Sequence, residues 1–276
     1  MKIGIITNFS KKSASALFME ATKILLSGGV KIFAPKNSNK VQNVTYLEEN
    51  ELFEVCDIII VIGGDGTIIH NAKRAAMLGK SVLGINAGRV GFLAGLEDSE
   101  LSKLSTLISG EYSTEKRMLL KVRYKNFEYY CLNDAVISKG NLSRMIDISA
   151  SINGECISYR ADGLIAATPT GSTAYSLSAG GPIVDFRLES ISRTPICPQS
   201  LYTRPILVSS ENNIEVSALA PKGTDVYLTV DGEQSILVEP NETIEITKEE
   251  NFFVRLIKLN DGSFLTALSE KFNLLG

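Results

Sequence analysis

The chain has 276 residues, of which 28 are Lys or Arg, 31 are Asp or Glu and 44% are apolar. That length fits one large domain or two modest ones with a real core, and the apolar fraction excludes wholesale disorder. The net charge of −3 argues against sequence-independent nucleic-acid binding, which needs a basic excess.

The sequence shows no membrane span and no secretory signal. Its longest aliphatic run, Ile58–Ile62, is far shorter than the ~20 residues that a spanning helix needs. The cysteines are widely separated and form no CxxC pair, which predicts reduced thiols and neither a disulfide framework nor a zinc site; they are Cys56, Cys131, Cys156 and Cys197. We therefore expect a cytoplasmic protein with no membrane or nucleic-acid partner.

The single histidine, His70, restricts the possible chemistry. A catalytic triad or a zinc-hydrolase site would have to use this one residue. It falls within an apolar-patterned helix, so we predict that it has no catalytic role.

The first half of the chain alternates predicted strands with predicted helices. Strands are predicted at 2–7, 30–33, 58–62 and 81–85. One helix is predicted to begin after a Ser10 cap and to end at Gly28-Gly29, a second to span 67–78, and a third to end at Gly110. This order predicts an open α/β domain with a mostly parallel sheet over residues 1–115.

The pattern changes near residue 115. Apolar and polar residues alternate over 120–124, 146–152 and 226–230, as in strands with one buried face. Asn153-Gly154 and Asp231-Gly232 are typical of hairpin turns. We predict a β-rich, sandwich-like domain over 116–251, and a tail, 252–276, that rejoins the first domain.

The most informative turn is Gly63-Gly64-Asp65-Gly66-Thr67, between a buried strand and a helix. Glycines allow close approach of a ligand, and a helix N-terminus attracts phosphate oxygens. A carboxylate beside phosphate favours a role in holding Mg²⁺ or in accepting a proton from an attacking hydroxyl. Asp65 therefore indicates phosphoryl transfer to an alcohol, although an ordinary strand-to-helix turn with Asp65 as helix cap is the alternative.

A second glycine cluster, Gly84–Gly95, follows the next predicted strand and contains Phe92. Ligand crevices in open α/β sheets form at the carboxyl ends of the strands. The two glycine-rich loops are therefore predicted to border one cleft, the alternative being a loop that needs positive φ angles.

The second half contains two further polar signals. Adjacent Asn133 and Asp134 can share a vicinal diol, although they are equally consistent with a turn between strands. The segment 159–181 is dense in glycines and small hydroxyl residues, which suit the packing and hydrogen bonding of a flat ring, and Tyr175 can stack on a base.

Taken together, GGDGT at 63–67, Asn133-Asp134 and TPTGSTAYSLSAGGP at 168–182 resemble the NAD kinase family over nearly the whole chain. GGDGT is shared with diacylglycerol and sphingosine kinases and with 6-phosphofructokinases, whereas the 168–182 segment is far more specific. The resemblance implies transfer of the γ-phosphoryl group of ATP, or of polyphosphate, to the 2′-hydroxyl of the adenosine ribose of NAD, with Mg²⁺ or another divalent cation carried by the nucleotide. It also implies a homodimer or homotetramer.

The resemblance also implies the roles of individual residues. Asp65 matches the proton acceptor, and the Asn133-Asp134 pair matches an NAD-binding pair. Further nucleotide-binding positions, some of them across a subunit interface, are Gly64, Gly66, Thr67, Phe92, Arg144, Arg160, Asp162, Thr173, Ala174, Tyr175, Ser176, Leu177, Ser178 and Asp231. Many members have Asn-Glu where this chain has Asn133-Asp134, and Gln where it has Glu233.

Three other interpretations remain open on the sequence. A lipid kinase shares GGDGT but needs an apolar membrane-facing element, which the sequence does not show. A non-catalytic dinucleotide sensor would gain nothing from Asp65. The third is an α/β plus β protein with an unrelated ligand.

Overall fold

The computed structural model describes residues 1–88, 91–140, 144–259 and 264–272. It divides into two compact units. One comprises residues 1–116 and 252–276 and is called the α/β unit; the other, residues 117–251, is called the β unit.

The helices, numbered in chain order like the strands, lie mainly in the α/β unit. In the described ranges they are α1 (Ala14–Ser27), α2 (Glu49–Val55), α3 (Asp65–Met77), α4 (Leu104–Ser109), α5 (Tyr175–Ser178) and α6 (Phe264–Phe272). None of them is long and apolar enough to cross a membrane.

The α/β unit is built on a seven-stranded sheet among the described residues, in the order β3-β2-β1-β4-β5-β19-β6. Its strands are β1 (Lys2–Thr7), β2 (Lys31–Pro35), β3 (Val44–Leu47), β4 (Ile58–Gly63), β5 (Ser81–Asn86), β6 (Ser113–Arg117) and β19 (Val254–Lys258). Pairing is parallel from β3 through β19. Every residue of β4 is buried, as expected for a strand with both faces covered.

Among its described residues, the β unit contains two six-stranded sheets, in the orders β11-β10-β15-β18-β7-β8 and β14-β13-β12-β9-β16-β17. Their strands are β7 (Leu120–Tyr124), β8 (Phe127–Cys131), β9 (Asp134–Lys139), β10 (Ile146–Ile152), β11 (Glu155–Ala161), β12 (Gly163–Ala167), β13 (Ser190–Ile196), β14 (Ile206–Ser209), β15 (Ile214–Leu219), β16 (Val226–Val230), β17 (Gln234–Val238) and β18 (Thr243–Lys248).

One hydrophobic core joins the two sheets of the β unit. Val122 and Ile148 from one sheet share it with Ile137, Leu164 and Leu228 from the other. Alternate residues of each strand supply this core, so the unit is a sandwich. The predicted fold class, an open α/β part followed by a β-rich sandwich, is confirmed.

Several local predictions are corrected. The first helix begins at Ala14 with Ser13 at the cap position, whereas the Ser10 hydroxyl donates to Asn8 Oδ1. Helix α3, which was predicted to span 67–78, begins at Asp65, two residues before the predicted start, and its cap position is Gly64. The prediction also missed β3, which is short and lacks a clear buried face, and α2, a seven-residue helix.

Candidate active site

Asp65 lies where the central parallel strand β4 gives way to α3. Its carboxylate accepts hydrogen bonds from two consecutive backbone groups, Phe92 N–H at 2.9 Å to Oδ2 and Leu93 N–H at 3.4 Å to Oδ1. The two predicted glycine-rich loops therefore meet at this side chain. Because backbone donors cannot rotate as side chains do, they fix the direction in which the carboxylate points.

Gly91 is required for this arrangement. A Cβ built on Gly91 would lie 2.0 Å from Asp65 Oδ1, which is closer than any carbon–oxygen contact allows. The loop approaches the carboxylate so closely only because residue 91 has no side chain. Its neighbour Phe92 packs against Phe272 of α6, with the ring centroids 6.0 Å apart.

The other predicted residues of the turn lie around the start of α3. Asn8 Nδ2 donates to Thr67 Oγ1 at 3.2 Å, and the Gly64 carbonyl accepts from Ile68 N–H. Gly66 is exposed in the first turn of the helix. Helix N-termini of this kind present N–H groups that suit an anion.

In the β unit, Asn133 and Asp134 lie at the connection from β8 to β9. The Asp231 carboxylate, on the β16–β17 turn, accepts hydrogen bonds from three consecutive backbone N–H groups of this connection. They belong to Leu132 at 2.9 Å, Asn133 at 2.8 Å and Asp134 at 3.1 Å. In return, Asp231 N–H donates to the Asp134 carbonyl at 2.9 Å.

The carbonyl groups of the same connection are held by the segment that begins at Thr168. Thr168 Oγ1 donates to the Leu132 carbonyl at 2.6 Å, and Thr168 N–H donates to the Asn133 carbonyl at 2.9 Å. A Cβ on Gly171 would lie 2.1 Å from that Asn133 carbonyl oxygen. The specific 168–182 motif thus packs directly on the Asn133-Asp134 pair.

A cavity of about 370 Å³ opens beside this pair. Five predicted site residues line it together: Asn133, Asp134, Ala174, Tyr175 and Asp231. Val136 and Ser138 were missed by the sequence analysis, although they follow Asp134 at alternate positions and so share its face of β9. Thr229, which lies beside Val136 on the neighbouring strand of the same sheet, was also missed, because the pairing of β16 with β9 is not visible in the sequence.

The structure places the remaining predicted residues elsewhere in the β unit. Ser176 is buried and hydrogen-bonds to Thr194 at 2.9 Å, and Thr173 Oγ1 donates to the Thr170 carbonyl. Leu177 and Ser178 complete α5.

Three predicted charged residues do not line the described wall of the cavity. Arg160 pairs with Asp147 at 3.1 Å, and Asp162 pairs with Lys139 at 2.8 Å. Arg144 is exposed just before β10.

Asp134 is a titratable residue that lines the cavity, and its surroundings change its pKa. Its side chain is buried, and burial, together with the negative charge of Asp231, raises its pKa to about 7. Asp134 therefore changes its protonation state near neutral pH. The ionised carboxylate only accepts hydrogen bonds, whereas the protonated carboxyl group also donates one.

Within the described ranges, no three His, Cys, Asp or Glu side chains cluster in a way that would hold a metal ion. Of the acidic groups at the two places described above, Asp65 and Asp231 direct their oxygens to backbone N–H groups. These donor sets do not fit a resident metal held by the protein alone, which needs several oxygen or nitrogen ligands.

Comparison with known proteins identifies the family to which this site belongs. Residues 3–112 match the ATP-NAD kinase N-terminal domain, and residues 132–259 match the ATP-NAD kinase C-terminal domain. The chain is 38% identical over 281 residues to an NAD kinase of Caldanaerobacter subterraneus subsp. tengcongensis, covering 98% of both chains. It is 42% identical over 229 residues to an NAD kinase of Clostridium botulinum, covering 81% of this chain and 80% of the relative.

Solved structures agree with this assignment. An NAD kinase from Archaeoglobus fulgidus in complex with ATP superposes with a TM-score of 0.79 at 25% identity, covering all of both chains. Yeast NADH kinase complexed with NADH has the same fold, with a TM-score of 0.88 at 24% identity over all of this chain and 88% of the other. The chain has an α/β unit and a β unit, and its class is that of the kinases that phosphorylate a nucleotide. It belongs to the NAD kinase family.

The burial of Asp134 predicts a pH-dependent stability. Its pKa in the folded state lies above the ordinary value of 3.8, so the folded state favours the protonated form. The stabilisation is complete in acid and is lost as the pH rises through about 7. We expect the free energy of unfolding of the parent, relative to Asp134→Asn, to fall between pH 4 and pH 8.

Urea unfolding at several pH values measures this difference. Asp225→Asn, at an exposed aspartate just before β16, is the matched control and should show no such trend. A difference between Asp134→Asn and the parent that stays constant with pH would contradict the prediction.

Proposed function

We propose that the chain transfers the γ-phosphoryl group of ATP, or a phosphoryl group of polyphosphate, to the 2′-hydroxyl of the adenosine ribose of NAD, with Asp65 as the proton acceptor. Membership of the family makes the chain an NAD kinase, and the residue roles and the choice of donor are the proposal. The observation that carries it is the fixed carboxylate of Asp65 at the start of α3, held by the backbone of a second glycine-rich loop.

The proposed reaction needs a base because a ribose hydroxyl is a weak nucleophile. A carboxylate can accept hydrogen bonds from backbone N–H groups and also take up the proton of a hydroxyl. Asp65 takes the proton as the bond between the 2′-oxygen and phosphorus forms and the bond to the leaving phosphate breaks. The backbone donors keep the carboxylate pointing in one direction. Phosphoryl transfer depends more on such positioning than on covalent catalysis by the protein.

The proposal assigns NAD recognition to the cavity of the β unit. Asn133 and Asp134 hold the hydroxyls of a ribose diol, and Tyr175 stacks on a base beside the small side chain of Ala174. The support is that the cavity brings these residues together and that backbone contacts fix the pair on both sides. Tyr175 is 47% exposed, so its ring is accessible to a ligand.

The remaining family positions complete the proposal. Gly64, Gly66 and Thr67 receive phosphates at the start of α3, and Mg²⁺ enters as part of the nucleotide substrate, because it is usually bound through substrate phosphates. Phe92 borders the nucleotide. Further contacts, within one subunit or from a second, come from Arg144, Arg160, Asp162, Thr173, Ser176, Leu177 and Ser178. A cytoplasmic homodimer or homotetramer is proposed on the same resemblance.

Replacing the proposed base tests the function. We expect Asp65→Asn to lower kcat by about 100-fold or more, since an amide cannot accept the proton, while NAD binding persists. The assay incubates the protein with NAD, ATP and Mg²⁺ and measures NADP with an NADP-specific dehydrogenase. Asp98→Asn, an exposed aspartate of the same unit, is the control. Turnover of Asp65→Asn equal to that of the control would remove Asp65 from the mechanism, and no NADP from the parent with either donor would refute the function.

The contact between Gly91 and Asp65 gives a second test. Gly91→Ala must displace the carboxylate, because its Cβ would lie 2.0 Å from Oδ1, and we expect kcat to fall about 10- to 100-fold. Gly88→Ala in the same loop places its Cβ in open space and should lose far less. Equal kcat values for the two alanine variants would show that the approach of the loop does not position Asp65.

A further inference from the structure

Asp231 does more than line the cavity, because its carboxylate is committed to the backbone of the residues that present the Asn133-Asp134 pair. One oxygen, Oδ1, accepts from Asn133 and Asp134, and the other, Oδ2, accepts from Leu132. Successive N–H groups of an extended strand point in opposite directions, so three that converge on one anion define a bent, concave backbone. The conformation of the connection and the presence of the carboxylate therefore depend on each other.

We infer that Asp231 is a positioning residue for NAD: its carboxylate holds the 132–134 backbone in the shape that presents Asn133 and Asp134 to the ribose diol, and its charge controls how readily Asp134 accepts hydrogen bonds from that diol. The inference rests on the proposed function and deepens it. It gives Asp231 a role through another residue, where the family resemblance implies only a nucleotide-binding position.

The first part of the role follows from satisfaction of buried polar groups. Asparagine at position 231 keeps one acceptor oxygen but turns an N–H₂ group toward a backbone donor, so at least one of the three N–H groups loses its partner. The connection then relaxes, and Asn133 and Asp134 no longer present their side chains in one geometry. Binding of NAD weakens as a result, whereas the proton acceptor Asp65 is a different residue and is unchanged.

The second part of the role follows from the groups that face Asp134. β12 places Ala167 opposite it, α5 contributes the Tyr175 phenol to the same cavity, and the β16–β17 turn contributes the Asp231 charge. Burial comes first and the Asp231 charge second among the causes that raise the pKa of Asp134 to about 7. An ionised Asp134 accepts from both hydroxyls of a diol, so NAD binding by the parent weakens as the pH falls below 7. Removing the Asp231 charge lowers the pKa of Asp134. The loss of NAD affinity on acidification then occurs at a lower pH.

The two effects together give a distinctive expected result for Asp231→Asn. At pH 8, where Asp134 is largely ionised in either protein, the Kd and KM for NAD rise about tenfold relative to the parent, with kcat within about threefold. At pH 6, where the parent has lost affinity, the ratio between variant and parent shrinks to about threefold. A merely structural loss would reduce binding by the same factor at both pH values.

The experiment measures NAD binding by calorimetry and the kinetic constants at pH 6, 7 and 8. Asp225→Asn removes the same charge at an exposed position nearby and should match the parent throughout. Asp231→Glu keeps the charge but displaces the carboxylate, so it should raise the Kd for NAD by a factor that does not change with pH. This variant also separates the two roles if Asp231→Asn folds poorly.

The outcomes distinguish this inference from the proposed function. A parent protein that binds no NAD contradicts the proposed function itself. A parent that binds NAD, with an Asp231→Asn variant that binds it as tightly as Asp225→Asn does, overturns the positioning role. A ratio that stays constant between pH 6 and pH 8 overturns the influence of Asp231 on Asp134.

Discussion

Consecutive backbone N–H groups that converge on a carboxylate are the interaction on which both halves of the proposed chemistry depend. In the α/β unit, Phe92 and Leu93 direct Asp65; in the β unit, Leu132 to Asp134 close around Asp231. Hydrogen bonds to a charged acceptor contribute more than neutral ones, about 1.5–3 kcal/mol each. They also fix the direction in which the acceptor points, and phosphoryl transfer depends mostly on positioning.

The same interaction explains why glycines occur beside the acidic residues. A backbone that brings its N–H groups to a carboxylate must come close to it, and a side chain on the approaching residue prevents this. Gly91 beside Asp65 is such a position, since a Cβ would lie 2.0 Å from Oδ1. Gly171 answers a different close approach, because its Cβ would lie 2.1 Å from the backbone carbonyl oxygen of Asn133. The glycine-rich loops therefore have a steric reason that is separate from any contact with phosphate.

The sequence predicted the fold, and its motifs singled out Asp65 and the Asn133-Asp134 pair, but it did not reveal the contacts that hold these residues. Alternation of apolar residues predicted β7, β10 and β16 of the β unit, and the turn after β4 placed Asp65 at the carboxyl end of that strand. It did not reveal that Asp231 folds back on Asp134, because these residues are 97 positions apart and no local pattern encodes their contact. Thr229 was missed for the same reason, since its place in the cavity depends on the pairing of β16 with β9.

Two neighbouring carboxylates line the cavity, those of Asp134 and Asp231, and the charge of Asp231 affects the ionisation of Asp134. Two carboxylates close together in a buried setting cannot both be ionised without a cost, and here the cost falls on Asp134, because Asp231 is compensated by three N–H groups. The short side chain of Asp134 keeps its carboxyl group close to the backbone of β9, and the residue is buried. In the proposed function Asp134 carries the charge that a diol needs, and its burial and the charge of Asp231 make that charge depend on pH. The affinity for NAD is then set by the surroundings of the carboxylate as much as by its chemical type.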